Sequence, residues 1–331
     1  MNQSKKIVLS GMRPTGCLHL GHLVGAINNW VKLQEEYSCF FMVADWHALM
    51  SEYENPSNIK NYIFDNVATW IACGIDPDKS VIFVQSGVKE HLYLNMFLSC
   101  LTPLGWLERC PTYKEQLREI KDRDIQTYAF LGYPVLQAAD ILLYRANFVP
   151  VGQDQIPHLE LTREIARRFN NLYKETFPEP EAFLSKVPKL LGLDGRKMSK
   201  SYGNTINFSD SKDEFMAKMQ KMFTDPKRIK LADSGHPKEC NVFSYISVFL
   251  PERTKELQPL CENAKIGCTE CKKKLSELLY NKLEPIFVKR QSILKDKKTL
   301  KDILEEGKKR ASETAGQTLS DAMKAVSLVY E

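Results

Sequence analysis

Apolar residues in the first half of the chain alternate between short continuous runs and longer periodic stretches. The continuous runs KIVLSG, CFFMVAD and SVIFVQSG are typical of buried central strands. Between them, apolar residues recur with helical spacing from about His19 to Tyr37, and again in NIKNYIFDNVATWIACG, which a glycine closes. Strands and helices that alternate at this spacing predict an α/β fold with a parallel, doubly wound sheet.

The pattern changes twice further along the chain. From about residue 90 to 130 it is helical and broken by Pro103 and Pro111, which predicts a helical insertion before a fourth strand, FVPVG. Beyond about residue 205 nearly every stretch has helical periodicity. We therefore predict a doubly wound (Rossmann-like) domain over residues 1–195, followed by an all-α helical domain over residues 196–331.

Composition narrows the class of protein. The chain has 331 residues, of which 43% are apolar, and a net charge of +5. No apolar run reaches the ~18 residues of a membrane span, and the first residues lack the apolar core of a secretory signal. We therefore expect a cytoplasmic protein without a membrane partner. Its nine cysteines are then expected to be reduced or bound to metal.

Positive charge is concentrated late in the chain. Between Cys271 and Lys301 there are ten Lys or Arg residues and three Asp or Glu residues. Such a stretch either contacts the phosphates of a nucleic acid or forms the solvated side of an amphipathic helix. Charge alone does not choose between the two.

The loop after the first predicted strand carries two histidines. In SGMRPTGCLHLGHLVGA, His19 and His22 are three residues apart near the start of a helix and so share a face. Free N–H groups at a helix N-terminus attract anions, and two imidazoles there could donate hydrogen bonds to phosphate oxygens. Two ordinary surface histidines or a metal-binding pair remain alternatives. The loop matches neither G-x-G-x-x-G nor a P-loop, which disfavours dinucleotide and Walker-type sites.

A second glycine-flanked loop, GLDGRKMSKSYGN, is strongly basic. Alone it predicts a solvated surface turn. Together, HLGH at 19–22 and KMSKS at 197–201 resemble the paired HIGH and KMSKS signatures of the class I aminoacyl-tRNA synthetases. The resemblance implies a Rossmann-like catalytic domain, followed by a KMSKS loop and a helical anticodon-binding domain.

The resemblance also implies a reaction. Enzymes of this class join an amino-acid carboxylate to the α-phosphate of ATP, with Mg²⁺, and pass the amino acid to tRNA. His19, His22, Lys197 and Lys200 are the implied catalytic residues, because they would position the phosphates and neutralise their charge. The residues implied to bind ATP are Gly11, Arg13, Pro14, Thr15, Gly21, His22, Gly152, Gln153, Asp154, Val187, Lys197, Met198, Ser199, Lys200 and Ser201.

Asp140 is an acidic residue within the apolar helical stretch YPVLQAADILLY. A buried carboxylate needs a partner, although a helix cap or a surface position would also explain an aspartate here. The functional interpretation is an acceptor for the polar hydrogen of a mostly apolar substrate, either an indole N–H or a phenol O–H. Tyr133, Gln137 and Asp140 also match the Y-x3-Q-x2-D pattern of tyrosyl-tRNA synthetases.

Other segments favour tryptophan as the substrate. SGMRPTG, VADWHAL, YPVLQAADILLY, VPVGQDQIPHLELTREIARRFN and GRKMSKS together are similar to the tryptophanyl-tRNA synthetases, in register from about residue 7 to 204. This family implies L-tryptophan and ATP as small-molecule substrates, tRNA as a partner and a homodimer. Tyrosyl-tRNA synthetase and a paralogue without catalysis are the rival hypotheses. The residues implied to bind tryptophan are Asp140, which would accept the indole N–H, His47, Tyr133, Gln137, Val151 and Gln155.

Four cysteines in the helical half have the spacing of a metal site. Cys240, Cys261, Cys268 and Cys271 form C-x20-C-x6-C-x2-C, which suits structural Zn²⁺ or a [4Fe–4S] cluster equally well. Four unrelated thiols are the alternative. A subset of tryptophanyl-tRNA synthetases carries a [4Fe–4S] cluster on C-x22-C-x6-C-x2-C, and this resemblance favours the cluster over zinc.

Overall fold

A five-stranded parallel sheet forms the centre of the α/β part of the protein. The structure, a computed structural model of the chain, describes residues 5–119, 124–184 and 190–328. The strands are β1 (Ile7–Met12), β2 (Ser38–Val43), β3 (Ser80–Val84), β4 (Phe148–Val151) and β5 (Glu181–Leu184). Their order in the sheet is β3-β2-β1-β4-β5, and every neighbouring pair is parallel. The predicted fold class is confirmed.

The central strands are covered on both faces. Val8, Phe41, Val43 and Phe83 are completely buried, which explains why these strands are continuous apolar runs without alternation. The edge strand β5 has the short, partly exposed sequence EAFL. This strand is not part of a continuous apolar run, and it was not predicted.

The helices alternate with the strands in the first half of the chain and follow one another in the second. They are α1 (Leu20–His22), α2 (Asn28–Glu36), α3 (Asp45–Glu52), α4 (Ile59–Ala72), α5 (Glu90–Leu101), α6 (Leu104–Glu108), α7 (Pro111–Glu119), α8 (Tyr128–Leu143), α9 (Ile156–Leu172), α10 (Lys212–Gln220), α11 (Asn241–Phe249), α12 (Thr254–Glu262), α13 (Cys268–Lys295) and α14 (Lys297–Ala325). In the described part of the chain, none of these helices combines the length and the apolar character needed to cross a membrane.

The described residues form two compact units. The first consists of residues 5–16, 29–119, 124–184 and 296–328, and the second of residues 17–28 and 190–295. The first unit contains the sheet and its main core. In the second, aromatic rings of α10 and α13 pack together, with the Phe215 ring 5.4 Å from that of Tyr280.

The last helix, α14, packs on the sheet in the first unit. A Cβ on Gly307 would overlap the carbonyl oxygen of Ile82 in β3, so glycine lets the two backbones approach closely. Ala311 and Ala315 continue the same buried face. Helical periodicity predicts that this segment belongs to the 196–331 domain, whereas its contacts group it with the sheet.

The helix predicted from His19 to Tyr37 is interrupted. After α1 the backbone forms a π-helical turn, Leu23–Ile27, before α2 begins at Asn28. Turns of this kind occur frequently at functional sites. Here the turn directly follows the two histidines of the HLGH motif.

Candidate active site

A cavity of about 310 Å³ lies in the first unit, at the carboxyl ends of β1, β2 and β4. Ligands of open α/β sheets commonly bind at this end of the strands. Its walls come from strand ends and from α3, α8 and α9. All six residues expected to bind tryptophan line it: His47, Tyr133, Gln137, Asp140, Val151 and Gln155.

Asp140 is the buried charge of this cavity. Its side chain in α8 is held by three neighbours, and the residue is only 3% exposed. Its Oδ2 lies 2.8 Å from Nε2 of His47, while its Oδ1 lies 2.7 Å from Nδ1 of His91 and 2.8 Å from Nε2 of Gln85. A carboxylate has about four acceptor positions. Three are occupied, and the remaining one is on Oδ2.

The surrounding hydrogen bonds keep Asp140 ionised. Burial raises the pKa of this carboxyl, but the hydrogen bonds from His47 and His91 outweigh burial and lower the pKa to about 2. At neutral pH the group therefore only accepts hydrogen bonds. It suits a substrate that presents a polar hydrogen.

His91, Gln85 and Tyr144 are parts of this network that the sequence analysis missed. The Tyr144 hydroxyl lies 2.9 Å from Nε2 of His91, and burial raises the pKa of this tyrosine well above its ordinary value. Tyr144 therefore stays protonated, and its hydroxyl donates a hydrogen bond to Nε2 of His91. The proton of the neutral imidazole is then on Nδ1, which donates to Asp140. The sequence signal for Gln85 and His91 was the polar segment QSGVKEH, which directly follows β3.

Tyr133 and Gln155 are linked through a buried histidine. The Tyr133 hydroxyl lies 2.8 Å from Nε2 of His158, and Nδ1 of His158 lies 2.9 Å from Oε1 of Gln155. Burial, with the nearby His47, lowers the pKa of His158 to about 4. The neutral imidazole accepts from Tyr133 and donates to Gln155, so the three side chains fix one wall of the cavity.

This histidine makes the stability of the protein sensitive to acid. The unfolded chain protonates His158 below about pH 6.5, but the folded chain does so only near pH 4. Its contribution is therefore complete above pH 6.5 and is lost as the pH falls from 6.5 to 4, at a total cost of about 3 kcal/mol. We expect urea unfolding to show a steeper loss between pH 7.5 and 4.5 in the wild type than in His158→Gln. Parallel losses would contradict this.

Seven of the residues expected to bind ATP are distributed over several places in the first unit. Gly11, Arg13 and Gly152 line the same cavity as Asp140. Pro14 and Thr15 line a second cavity, of about 300 Å³. The remaining residues of this set in the first unit are Gln153 and Asp154, which form the 3₁₀ turn Gln153–Gln155 after β4; Val187 lies outside the described residues.

The two histidines of HLGH lie against each other in the second unit. Their ring centroids are 3.8 Å apart, and Nδ1 of His22 accepts the backbone N–H of His19 at 3.1 Å. Burial and the charge of Lys200 lower the pKa of His19 to about 4, and burial, His19 and Lys200 lower that of His22 well below its ordinary value. Both imidazoles are neutral at pH 7, and His22 must carry its proton on Nε2, where it can donate.

The KMSKS segment approaches these histidines within the same unit. Lys200 is close enough to His19 and His22 to lower the pKa of both. A Cβ on Gly21 would lie 2.9 Å from the His19 ring and 3.3 Å from Sδ of Met198, so glycine is needed for this close approach. Among the described residues, Nδ1 of His19 is a buried polar atom without a hydrogen-bond partner. Such an atom is available to a ligand.

The other residues of the motif lie nearby along the chain. Lys197 forms an antiparallel bridge with Leu191, and its side chain is exposed. Ser199 precedes the short 3₁₀ turn Lys200–Tyr202, which includes Ser201. Two neutral imidazoles and the ammonium group of Lys200 thus form a cluster suited to phosphate oxygens.

The four cysteines expected to bind metal influence one another electrostatically. The pKa of the Cys271 thiol is raised to about 12, first by burial and then by the other three cysteines. Burial raises the pKa of the Cys240 thiol, and the nearby backbone N–H groups of Phe243, Val242 and Asp225 oppose that rise. However, within residues 5–119, 124–184 and 190–328, no three His, Cys, Asp or Glu side chains are arranged to hold a metal ion.

These features are those of the class I tRNA synthetases, and comparison with known proteins agrees. The family model described as "tRNA synthetases class I (W and Y)" matches residues 1–284. The chain belongs to this family, whose members are specific for tryptophan or tyrosine.

Several similar proteins are named for tryptophan. Tryptophan–tRNA ligase of Thermotoga maritima is 53% identical, over 98% of this chain and 99% of that protein. Tryptophan–tRNA ligase of Aquifex aeolicus is 42% identical, over 97% of this chain and 99% of that protein. The crystal structure of tryptophanyl-tRNA synthetase from Campylobacter jejuni, described as complexed with ADP and tryptophan, matches with a TM-score of 0.90 and 36% identity, over 97% of this chain and 99% of that one.

Proposed function

We infer that this protein is a tryptophan–tRNA ligase, which activates L-tryptophan with ATP and transfers it to its tRNA. The observation that carries this inference is the ionised, buried Asp140, which has one acceptor position left in the cavity of the first unit. An indole N–H occupies that position. A phenol O–H would satisfy it as well, so the choice of tryptophan rests also on the two relatives, at 53% and 42% identity, that are named for it.

The activation step needs no nucleophile from the protein. A carboxylate oxygen of tryptophan forms a bond to the α-phosphorus of ATP, the bond from that phosphorus to the bridging oxygen breaks, and pyrophosphate leaves. Mg²⁺ bound to ATP neutralises part of the phosphate charge. His19 and His22 donate hydrogen bonds to phosphate oxygens, and Lys197 and Lys200 stabilise the charge that moves to the leaving group.

The transfer step consumes the adenylate. A hydroxyl oxygen of the terminal tRNA ribose attacks the tryptophanyl carbonyl carbon, the bond to the phosphate oxygen breaks, and AMP leaves. We propose that the basic stretch from Cys271 to Lys301 contacts this tRNA, because it carries a large excess of positive charge. The proposed roles are therefore binding of tryptophan and of part of ATP for the first unit, and phosphate and tRNA contacts mainly for the second, which contains seven of these ten basic residues.

Amino-acid-dependent exchange of pyrophosphate into ATP tests the proposal. We expect exchange that depends on tryptophan and is absent with tyrosine and without an amino acid. Exchange with tyrosine alone would identify a tyrosyl-tRNA synthetase. No exchange with either would identify a paralogue without catalysis.

We further propose that Cys240, Cys261, Cys268 and Cys271 hold a [4Fe–4S] cluster with a structural or tRNA-facing role. The donor set fits the group, because four thiolates are its usual ligands, and burial together with neighbouring cysteines of the set raises the pKa of Cys240, Cys261 and Cys271. The backbone N–H groups directed at Cys240 would stabilise a thiolate. Among the described residues, the four sulfurs are not arranged to hold a metal ion. The proposal therefore rests on the donor set and its spacing.

Metal analysis distinguishes the cluster from zinc. In anaerobically purified protein we expect a brown colour that bleaches on reduction, and about four iron atoms and four labile sulfides per chain. Removing the cluster is expected to lower tRNA charging more than pyrophosphate exchange, because Cys271 directly precedes the lysines 272–274 of the basic stretch proposed to contact tRNA. A colourless protein with one zinc per chain would refute the cluster.

Three further expectations are proposals of the same kind. We propose a homodimer, as the family resemblance implies, and sedimentation would test it. The ATP-binding set is proposed from its match to the family motifs, and Gly11, Arg13 and Gly152 are supported by their position at the cavity. The cytoplasmic location stays a prediction from the sequence.

A further inference from the structure

The loop that carries KMSKS closes on itself within the second unit. Gly192 donates its N–H to the carbonyl of Arg196 at 2.7 Å, and Leu193 donates its N–H to the carbonyl of Asn204 at 2.9 Å. Gly203, with a φ of 62°, completes the turn that ends the loop. The two ends of the segment are therefore hydrogen-bonded to each other.

The side chain of Asn204 fills the inside of this loop. Asn204 is 3% exposed. Its Oδ1 accepts the backbone N–H of Ser199 at 2.9 Å, while its Nδ2 donates to the carbonyl of Lys197 at 3.1 Å and to Oδ1 of Asp194 at 2.7 Å. One amide thus fixes a backbone group on each side of Met198, in the middle of the motif.

Asp194 is a charged partner for this amide. The hydrogen bond from Asn204, followed by hydrogen bonds from Arg196, lowers the pKa of Asp194 to about 2, against the effect of burial. Arg196 in turn lies over the ring of Tyr202, 4.5 Å from its centroid. Hydrogen bonds to ionised groups are the stronger ones, so the Asn204–Asp194 contact is a strong one.

Gly192 provides the room that the amide needs. A Cβ on Gly192 would overlap Nδ2 of Asn204. The carbonyl of Gly192 accepts a hydrogen bond from the side chain of Asn241 in α11 at 2.7 Å. The base of the loop is thereby attached to a helix of the second unit.

We propose that Asn204 is a positioning residue for the lysines of KMSKS. It sets the backbone on both sides of Met198 and so aims the ammonium groups of Lys197 and Lys200 at the triphosphate of ATP, without itself touching the substrate. The inference rests on the proposed function, because it assigns these lysines to ATP.

The first test is Asn204→Ala in pyrophosphate exchange at varied ATP concentration. We expect kcat/KM for ATP to fall by about tenfold to a hundredfold, as for other small misplacements of catalytic groups. Tryptophan affinity without ATP, from fluorescence, is expected to stay within twofold. The control Gln220→Ala, at an exposed position of α10, should leave both unchanged. If the wild type shows no exchange, the proposed function fails and the inference with it.

An exchange of partners separates positioning from general destabilisation. Asn204→Asp places two carboxylates together and should lower kcat/KM for ATP more than Asn204→Ala. The double variant Asp194→Asn/Asn204→Asp restores a donor opposite an acceptor and should recover at least about tenfold over Asn204→Asp. Asp194 also accepts hydrogen bonds from Arg196, so Asp194→Asn alone is measured as the reference, and the coupling between the two substitutions reports the contact.

Gly192→Ala disturbs the hydrogen bonds of the Asn204 side chain without a substitution at position 204. The added methyl group displaces the amide of Asn204 and should reproduce the Asn204→Ala kinetics. The inference is overturned if Asn204→Ala retains wild-type kcat/KM for ATP. It is equally overturned if the double variant is no more active than Asn204→Asp, or if ATP and tryptophan binding weaken together.

Discussion

Asp140→Asn is expected to lower kcat/KM for tryptophan by about a hundredfold, equivalent to about 3 kcal/mol. The amide removes the charge and offers a single acceptor oxygen. Because His91 and Gln85 both donate to the Oδ1 side, that oxygen takes the Oδ1 position and the NH2 group replaces Oδ2. The indole N–H then loses its acceptor. Pyrophosphate exchange at varied tryptophan concentration measures the effect.

A tryptophan analogue with sulfur in place of the indole N–H shows whether this effect comes from the proposed hydrogen bond. The wild type should prefer tryptophan strongly, and Asp140→Asn should lose most of that preference. Asp321→Asn is the control in the same unit, because Asp321 pairs with Arg145 near the surface. Equal losses for both substrates would show that Asp140 only stabilises the cavity.

Lys200→Gln is expected to lower kcat of exchange by about 10² to 10³, the usual effect of removing one group that stabilises transition-state charge. Tryptophan affinity should change by less than twofold. A second readout follows from its neighbours, because the charge of Lys200 lowers the pKa of His19. Nuclear magnetic resonance titration should therefore show a higher His19 pKa in the variant.

Lys212→Gln is the matched control for this experiment. Lys212 is exposed in the same unit, over the ring of Tyr280. It should leave kcat and the His19 titration unchanged. An unaltered kcat in Lys200→Gln would remove this lysine from the proposed mechanism.

The sequence was sufficient for the parts of the fold that have a local signal. The continuous apolar runs of β1, β2 and β3 predicted buried parallel strands, and the structure confirms them. β5 was missed because four partly exposed residues carry too little periodicity. The position of α14 depends on the contact between Gly307 and Ile82, residues that are distant in sequence, and no local pattern reports such a contact.

The same distinction applies to the candidate site. The family resemblance was enough to select six residues that line one cavity. It did not reveal His91, Gln85 and Tyr144, because their roles arise only when the end of β3 meets α8. It also did not show the protonation state of His19 and His22, since that depends on burial and on Lys200.

Aminoacylation is the most direct test of the central claim that the enzyme attaches tryptophan to tRNA. Radiolabelled tryptophan or tyrosine would be incubated with total tRNA, Mg·ATP and the purified protein, and acid-precipitable label counted before and after mild base. The account predicts a base-labile ester of tryptophan that requires ATP, with no ester of tyrosine. Incorporation of tyrosine instead, or of neither amino acid, would contradict it.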